Sequence, residues 1–72
     1  MPPKIHEDSL STSYYGKGIY IEARQPEGGE AFVSLIEIED LPPFNSPDLP
    51  NFPSLAGALN AGLRWATTMV DN

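Results

Sequence analysis

The sequence predicts an α+β fold: a two- or three-stranded antiparallel sheet with one C-terminal amphipathic helix packed on one face. Two stretches rich in aromatic and β-branched residues, 14–24 and 31–39, are separated by a turn that contains Pro26 and Gly28-Gly29, which is the pattern of a hairpin. A third stretch, 54–70, repeats apolar residues at helical spacing. A helix laid across the hairpin buries both apolar stripes, so this architecture is favoured.

Alternation along the second strand predicts which of its sides faces the core. Glu37 and Glu39 mark the wetter side, and period-two alternation puts Val33 and Leu35 there with them. The core side then carries Phe32, Ile36 and Ile38, beside Ile19 and Ile21 of the first strand. A register with Ile19 opposite Ile36 and Ala23 opposite Phe32 keeps both apolar sets on one face.

The C-terminal stretch has the marks of a helix start and a buried stripe. Ser54 is a favourable N-cap, because its hydroxyl can accept from the free amides of the first turn. The apolar stripe consists of Leu55, Leu59, Gly62, Leu63, Ala66, Met69 and Val70. Gly62 on this stripe predicts a close approach to the sheet. Trp65 lies at the margin, where it either covers the core edge or anchors a subunit contact.

Two remaining segments lack regular periodicity. Residues 1–13 are polar and are expected to be a disordered lead-in, so the folded domain is expected over 14–72. Five of the 14 residues in 40–53 are proline, which favours an extended loop pinned to the core by Leu41, Phe44, Leu49 and Phe52. A short edge strand near 45–49 and a polyproline-type ligand built on Pro47 and Pro50 are the alternatives. A third strand would come from either segment or from a second chain.

Composition excludes several classes of function. The 72 residues include no cysteine and one histidine, and the net charge is −6. Zinc fingers, disulfide scaffolds and thiol enzymes need cysteine, and phosphate-backbone binding needs more lysine and arginine than this chain has. His6 lies in the expected lead-in, so no catalytic constellation is predicted. We therefore expect a bacterial, cytoplasmic, non-enzymatic protein without a membrane span, a cofactor, a metal site, a small-molecule substrate or a nucleic-acid partner.

Charge and spare apolar surface point to a protein partner. Residues 25–63 contain six acidic side chains and no basic one, and an acidic surface attracts a basic protein. A domain this small also gains stability from association. The predicted partner-binding residues are Tyr20, Val33, Leu35, Glu37, Glu39 and Trp65. The expected function is a protein-interaction module that self-associates, as a homodimer, or binds a basic protein.

Two segments carry a family resemblance. Tyr14-Tyr15-Gly16-Lys17-Gly18-Ile19 and the segment 52–59 resemble landmarks of small uncharacterised proteobacterial proteins made of a β-hairpin and a helix. Asp48-Leu49-Pro50 lies between the hairpin and the helix. It is similar to the Asp-Leu-Pro stretch found at this place in HicB-type antitoxins. The second resemblance implies a ββ(β)α core that neutralises a small basic toxin. The family's Pro-Gly-Cys is replaced here by Asn51-Phe52-Pro53.

Overall fold

A computed structural model describes residues 4–71 of the chain. It contains one four-stranded antiparallel sheet, in the order β1-β2-β3-β4, and one C-terminal helix. The elements are β1 (Ile5–Tyr14), β2 (Lys17–Pro26), β3 (Phe32–Ile38), β4 (Phe44–Asn45) and α1 (Leu55–Asp71). The α+β class is confirmed, and the number of strands is four, not two or three.

The first strand occupies the segment that was expected to be a disordered lead-in. β1 pairs with β2 over ten positions, from Ile5 opposite Pro26 to Tyr14 opposite Lys17. The intervening Tyr15 and Gly16 have φ of 50° and 76°, as in a type I′ hairpin turn. Backbone pairing, rather than burial, holds this strand, so hydrophobic patterning missed it. Residues 1–3 of the expected lead-in and Asn72 of the expected domain lie outside the described residues.

A β-bulge sets the inner face of β3. Ile38 pairs with Ile19 and Ile36 with Ile21, but the register shifts between Glu22 and Ala23, so Ser34 is the extra residue on β3. Val33 therefore pairs with Ala23 and is 4% exposed in the core, whereas Phe32 is 36% exposed. The predicted placing of Phe32 and Val33 is wrong, because uninterrupted alternation cannot anticipate an inserted residue. The predicted register is wrong as well, since Ile19 lies opposite Ile38, two residues beyond Ile36.

The proline-rich segment forms both a pinned loop and a short edge strand, which lies at Phe44–Asn45 and not over 45–49. β4 pairs with β3 through Asn45 opposite Leu35 and Phe44 opposite Ile36. Phe44, Leu49 and Phe52 pack against the core, while Leu41 is 43% exposed and does not act as a pin. Side-chain burial thus holds a segment whose prolines prevent it from forming a long strand.

Small residues bring α1 close to the sheet. Three small residues of α1 are buried: Ala58, Gly62 and Ala66. A Cβ on Gly62 would lie 2.8 Å from Cγ2 of Ile21. The Gly57 amide donates to Oγ of Ser54 at 3.1 Å, which is the expected N-cap. Met69, expected on the buried stripe, is 37% exposed, because the ridge of small residues forms the line of closest contact.

Candidate interaction surface

The sheet has one covered face and one open face. α1 packs on the inner face, over the buried side chains of β2 and β3. Alternation puts Tyr20 and Leu35 on the opposite, outer face, where both are half-buried. Exposed Phe32 lies on this face as well. No described element packs on the outer face, so its aromatic and aliphatic groups are available to another molecule.

A network of polar side chains crosses the middle of the outer face. Arg24 Nε lies 3.3 Å from Oε1 of Glu7, and Arg24 Nη2 lies 3.4 Å from Oε1 of Glu22. The Tyr20 hydroxyl donates to Oε2 of Glu22 at 3.3 Å, and Ser34 Oγ donates to the Glu22 carbonyl at 3.1 Å. The network fixes the Tyr20 ring and shares the charge of Arg24 between two carboxylates.

A shallow depression lies on the outer face beside this network, at the end nearest the β1–β2 turn. Its lining includes Gly18, Tyr20, Glu37 and Glu39. The Gly18 amide donates to Oε1 of Glu39 at 3.0 Å, and a Cβ at this position would lie 3.3 Å from that oxygen. The absence of a side chain at Gly18 therefore keeps the floor of the depression open while its amide orients a carboxylate at the rim.

The cation nearest to the depression is paired with one of the depression's own carboxylates, because Asp40 belongs to the lining. Lys17 Nζ forms a salt bridge with Oδ2 of Asp40. The hydrogen bond to Asp40 and the charge of this carboxylate raise the pKa of Lys17 above its ordinary value. Lys17 thus stays protonated and bound to Asp40. Among the described residues, Glu37 and Glu39 form no ion pair.

The six predicted partner-binding residues do not form one surface. Tyr20, Leu35 and Glu37 share the outer face, and Glu39 borders it at the depression. Val33 is buried in the core. Trp65 lies on α1, where its ring meets the ring of Phe44 edge-on with 4.9 Å between centroids. It covers the core edge and lines a separate apolar groove together with Leu49, Pro50, Phe52 and Met69.

Sequence reasoning missed two contributors to the outer face. Gly16 and Gly18 are two residues apart in the sequence, yet the β1–β2 turn gives these two glycines different roles. Gly16 takes the positive φ of the turn, while Gly18 opens the depression. The second contributor is Arg24, whose place between Glu7 and Glu22 depends on β1, which was not predicted.

The three tyrosines of the chain lie at three separate locations. Tyr14 lies on β1, where its hydroxyl donates to Oδ2 of Asp71 at 3.0 Å. Tyr15 is an exposed residue of the turn, and only Tyr20 lies on the outer face. Within residues 4–71 no group of three or more metal-ligating side chains converges. No helix in that range is both long enough and apolar enough to cross a membrane.

Comparison of the chain with protein-family models, with curated proteins and with solved structures finds no match.

Proposed function

We propose that the chain is a non-enzymatic protein-interaction module whose outer sheet face binds a basic protein. The observation that carries this proposal is the depression lined by Gly18, Tyr20, Glu37 and Glu39. A lysine or arginine side chain of the partner would enter it, meeting carboxylates at the rim and the Tyr20 ring at its side. Carboxylates and an aromatic ring together form a favourable site for an organic cation.

The charges of the described residues support a basic rather than an acidic partner. The two cations on the sheet, Lys17 and Arg24, are already paired with Asp40, Glu7 and Glu22. Of the carboxylates that line the depression, Asp40 is paired with Lys17, whereas Glu37 and Glu39 form no ion pair among the described residues and present their charge to solvent. Opposite charge increases the rate of encounter and excludes acidic competitors, and a second copy of the same acidic face would be repelled.

Apolar groups around the acidic patch give the partner contact area. Leu35 and Phe32 lie on the same face as Tyr20, and Phe32 is a large exposed side chain. Interfaces combine such apolar groups with a polar rim. His6, the single histidine of the chain, lies exposed on β1 and does not line the depression, so we assign it no catalytic role.

The test is binding of an oligolysine peptide, followed by two-dimensional NMR of the labelled chain at low salt. We expect the amide signals of Gly18, Tyr20 and Glu37 to move most. The double variant Glu37→Gln/Glu39→Gln should lose most of the affinity. Glu27→Gln/Glu30→Gln is the matched control, because it removes the same charge from the exposed β2–β3 turn. Equal losses in the two double variants would mean that only net charge matters and would overturn the proposed site.

A HicB-like antitoxin domain is the alternative proposal. The order of elements supports it: an antiparallel sheet, then Asp48-Leu49-Pro50, then a helix. In this alternative the basic partner is a small toxin, and a bacterial cytoplasm is the setting. Co-expression with a short basic protein encoded beside this chain should restore growth, and Glu37→Gln/Glu39→Gln should abolish the rescue. Unchanged toxicity with the native chain would reject the alternative and leave the main proposal standing.

A further inference from the structure

The outer edge of β1 carries a row of backbone groups that no described strand pairs. β1 pairs only with β2 among the described residues. The Glu27 amide donates to the Lys4 carbonyl at 2.9 Å, which identifies this as a hydrogen-bonded pair. Such pairs alternate along an antiparallel ladder, so even-numbered residues of β1 bond to β2. The amides and carbonyls of the odd-numbered residues point away from the sheet: Ile5, Glu7, Ser9, Ser11 and Ser13.

This edge has few of the devices that prevent strand pairing. Residues 5–14 contain no proline or lysine, and β1 has no bulge. Of the usual protections of an edge, β1 has an inward-pointing charge, Asp8, opposite Ala23. The charge of Glu7 is shared with Arg24. The Ser9 amide donates to Oδ1 of its neighbour Asp8 at 2.8 Å, so one of the outward amides already binds an acceptor where no strand is present.

We propose that β1 pairs in antiparallel fashion with β1 of a second copy, about a two-fold axis that passes between the two Leu10 residues. This inference rests on the self-association part of the expected function and assigns it to a surface distinct from the acidic face. The pairing joins two sheets into one of eight strands with both helices on the same face. It replaces the Ser9–Asp8 bond by bonds between Ser9 and the partner's Ser11.

The distribution of side chains along β1 selects this register. Leu10 is half-buried, packs against the core and lies on the inner face with α1. The axis at Leu10 puts the two leucines opposite each other at a non-hydrogen-bonded position, where side chains approach most closely. Asp8 then faces the partner's Thr12, Glu7 faces the partner's Ser13 and His6 faces the partner's Tyr14, so no carboxylate meets another.

Neighbouring registers are less favourable for the same residues. An axis at Asp8 puts two carboxylates directly opposite each other, which is destabilising. An axis at Ser9 puts Leu10 opposite the partner's Asp8 and leaves both leucines without an apolar partner. Of these three registers, the Leu10 register pairs the outward backbone groups and also brings apolar side chains together, and it extends the apolar layer between sheet and helix into the second copy. This self-complementarity identifies the occupant as a second copy of the chain.

Light scattering over a concentration series tests the pairing, with Ser11→Pro and Ser11→Ala as a matched pair of variants. Ser11 directs its amide outward, so proline removes a bond to the partner without removing one to β2, while alanine keeps the amide. We expect the native chain and Ser11→Ala to dimerise alike and Ser11→Pro to raise the dissociation constant at least tenfold. Circular dichroism verifies that all three are folded.

Disulfide formation tests the register, because the chain has no cysteine of its own. Leu10→Cys should oxidise to a covalent dimer much faster than Ser9→Cys, since only the former puts two Cβ atoms within disulfide reach across the axis. If Leu10→Cys fails to fold, nuclear Overhauser contacts between Leu10 methyl groups in a mixture of labelled and unlabelled native chain give the same information. Faster oxidation of Ser9→Cys, or absence of those contacts in a dimer, would overturn the proposed register.

Two outcomes separate this inference from the proposed function. A native chain that stays monomeric at all concentrations but binds oligolysine through Glu37 and Glu39 overturns β1 pairing alone. A dimer that survives Ser11→Pro but dissociates on Tyr20→Ala places self-association on the outer face, and it also overturns β1 pairing.

Discussion

The two edges of the sheet are built in opposite ways. β4 contributes two residues, Phe44–Asn45, and is bracketed by Pro43 and Pro47. β1 contributes ten residues without a proline. The proline side has a short ladder and an isolated bridge between Ala31 and Phe52, and its rings pack on the core, with Phe44 against Trp65. β1 is held by its backbone, and only Leu10 and Tyr14 pack against the core.

This difference shows that two types of interaction, apolar burial and backbone hydrogen bonding, hold the outer strands of one sheet. On the proline side, apolar burial attaches a segment that offers few amides for a ladder, and the outer strand cannot extend. On the β1 side, a two-residue turn and a continuous ladder attach a polar segment, and its outer edge stays open. The β4 edge is therefore closed to further strands, and the β1 edge is suited to accept one.

The largest expected effect is loss of the aromatic pin on the proline edge. Phe44→Ala removes a half-buried ring that contacts Trp65, so it should lower the free energy of unfolding by about 2–3 kcal/mol. Urea unfolding measures this change. Leu41→Ala, in the same segment but 43% exposed and not packed against the core, should cost less than about 0.5 kcal/mol. Equal losses would mean that the segment is not pinned by specific rings.

Proline scanning of β1 separates backbone pairing from burial. Thr12 directs its amide to β2, opposite Ile19, so Thr12→Pro should cost about 1–2 kcal/mol for the lost ladder bond and the distortion around it. The neighbouring Ser11→Pro, whose amide points outward, should cost less than about 1 kcal/mol. Thermal unfolding of the two variants compares them in dilute solution. A reversed order would contradict the assigned alternation of the ladder.

A substitution at the β-bulge next to the proline edge should have a smaller effect on the free energy of unfolding. Ser34 Oγ donates to the Glu22 carbonyl at 3.1 Å, while the Ser34 carbonyl accepts from the Ser46 amide at 2.9 Å. Ser34→Ala removes the first bond and should cost about 1 kcal/mol. Ser11→Ala removes an exposed hydroxyl of the same kind from β1 and is the control. A chemical denaturation series that shows no difference between them would mean that the side chain does not stabilise the bulge.

The smallest expected effect is a change in titration at the end of β1. The Tyr14 hydroxyl donates to Asp71, and this bond raises the pKa of Tyr14 above its ordinary value of 10.0. The bond favours the neutral phenol, so its contribution to stability is complete below pH 10 and is lost as pH rises through the raised pKa. Asp71→Ala should lower the pKa of Tyr14 in a carbon NMR titration. Asp48→Ala, an exposed loop carboxylate, should leave it unchanged.

Elements with strong local signals were predicted well. The β3 strand, the Ser54 cap and the helix that follows it were all expected from alternation, capping chemistry and helical spacing. The close approach at Gly62 was expected too, because a glycine on an apolar stripe has few other roles. Each of these features depends on residues within one or two turns of chain.

The candidate site was predicted only in part, because its geometry depends on contacts between distant segments. Tyr20, Leu35 and Glu37 were correctly assigned to one face, since alternation alone decides this. Val33 was assigned to that face wrongly, because the bulge reverses the alternation below Ser34.

The sequence by itself determined the α+β class, the single helix and the acidic character of the hairpin, because these follow from local spacing and from charge. Only the tertiary structure decided that polar residues 5–14 form a strand, that Val33 rather than Phe32 enters the core, and that Gly18 opens an acidic depression. The physical reason is that backbone ladders and bulges join residues far apart in the chain through groups that every residue carries. Side-chain patterns therefore contain little information about them.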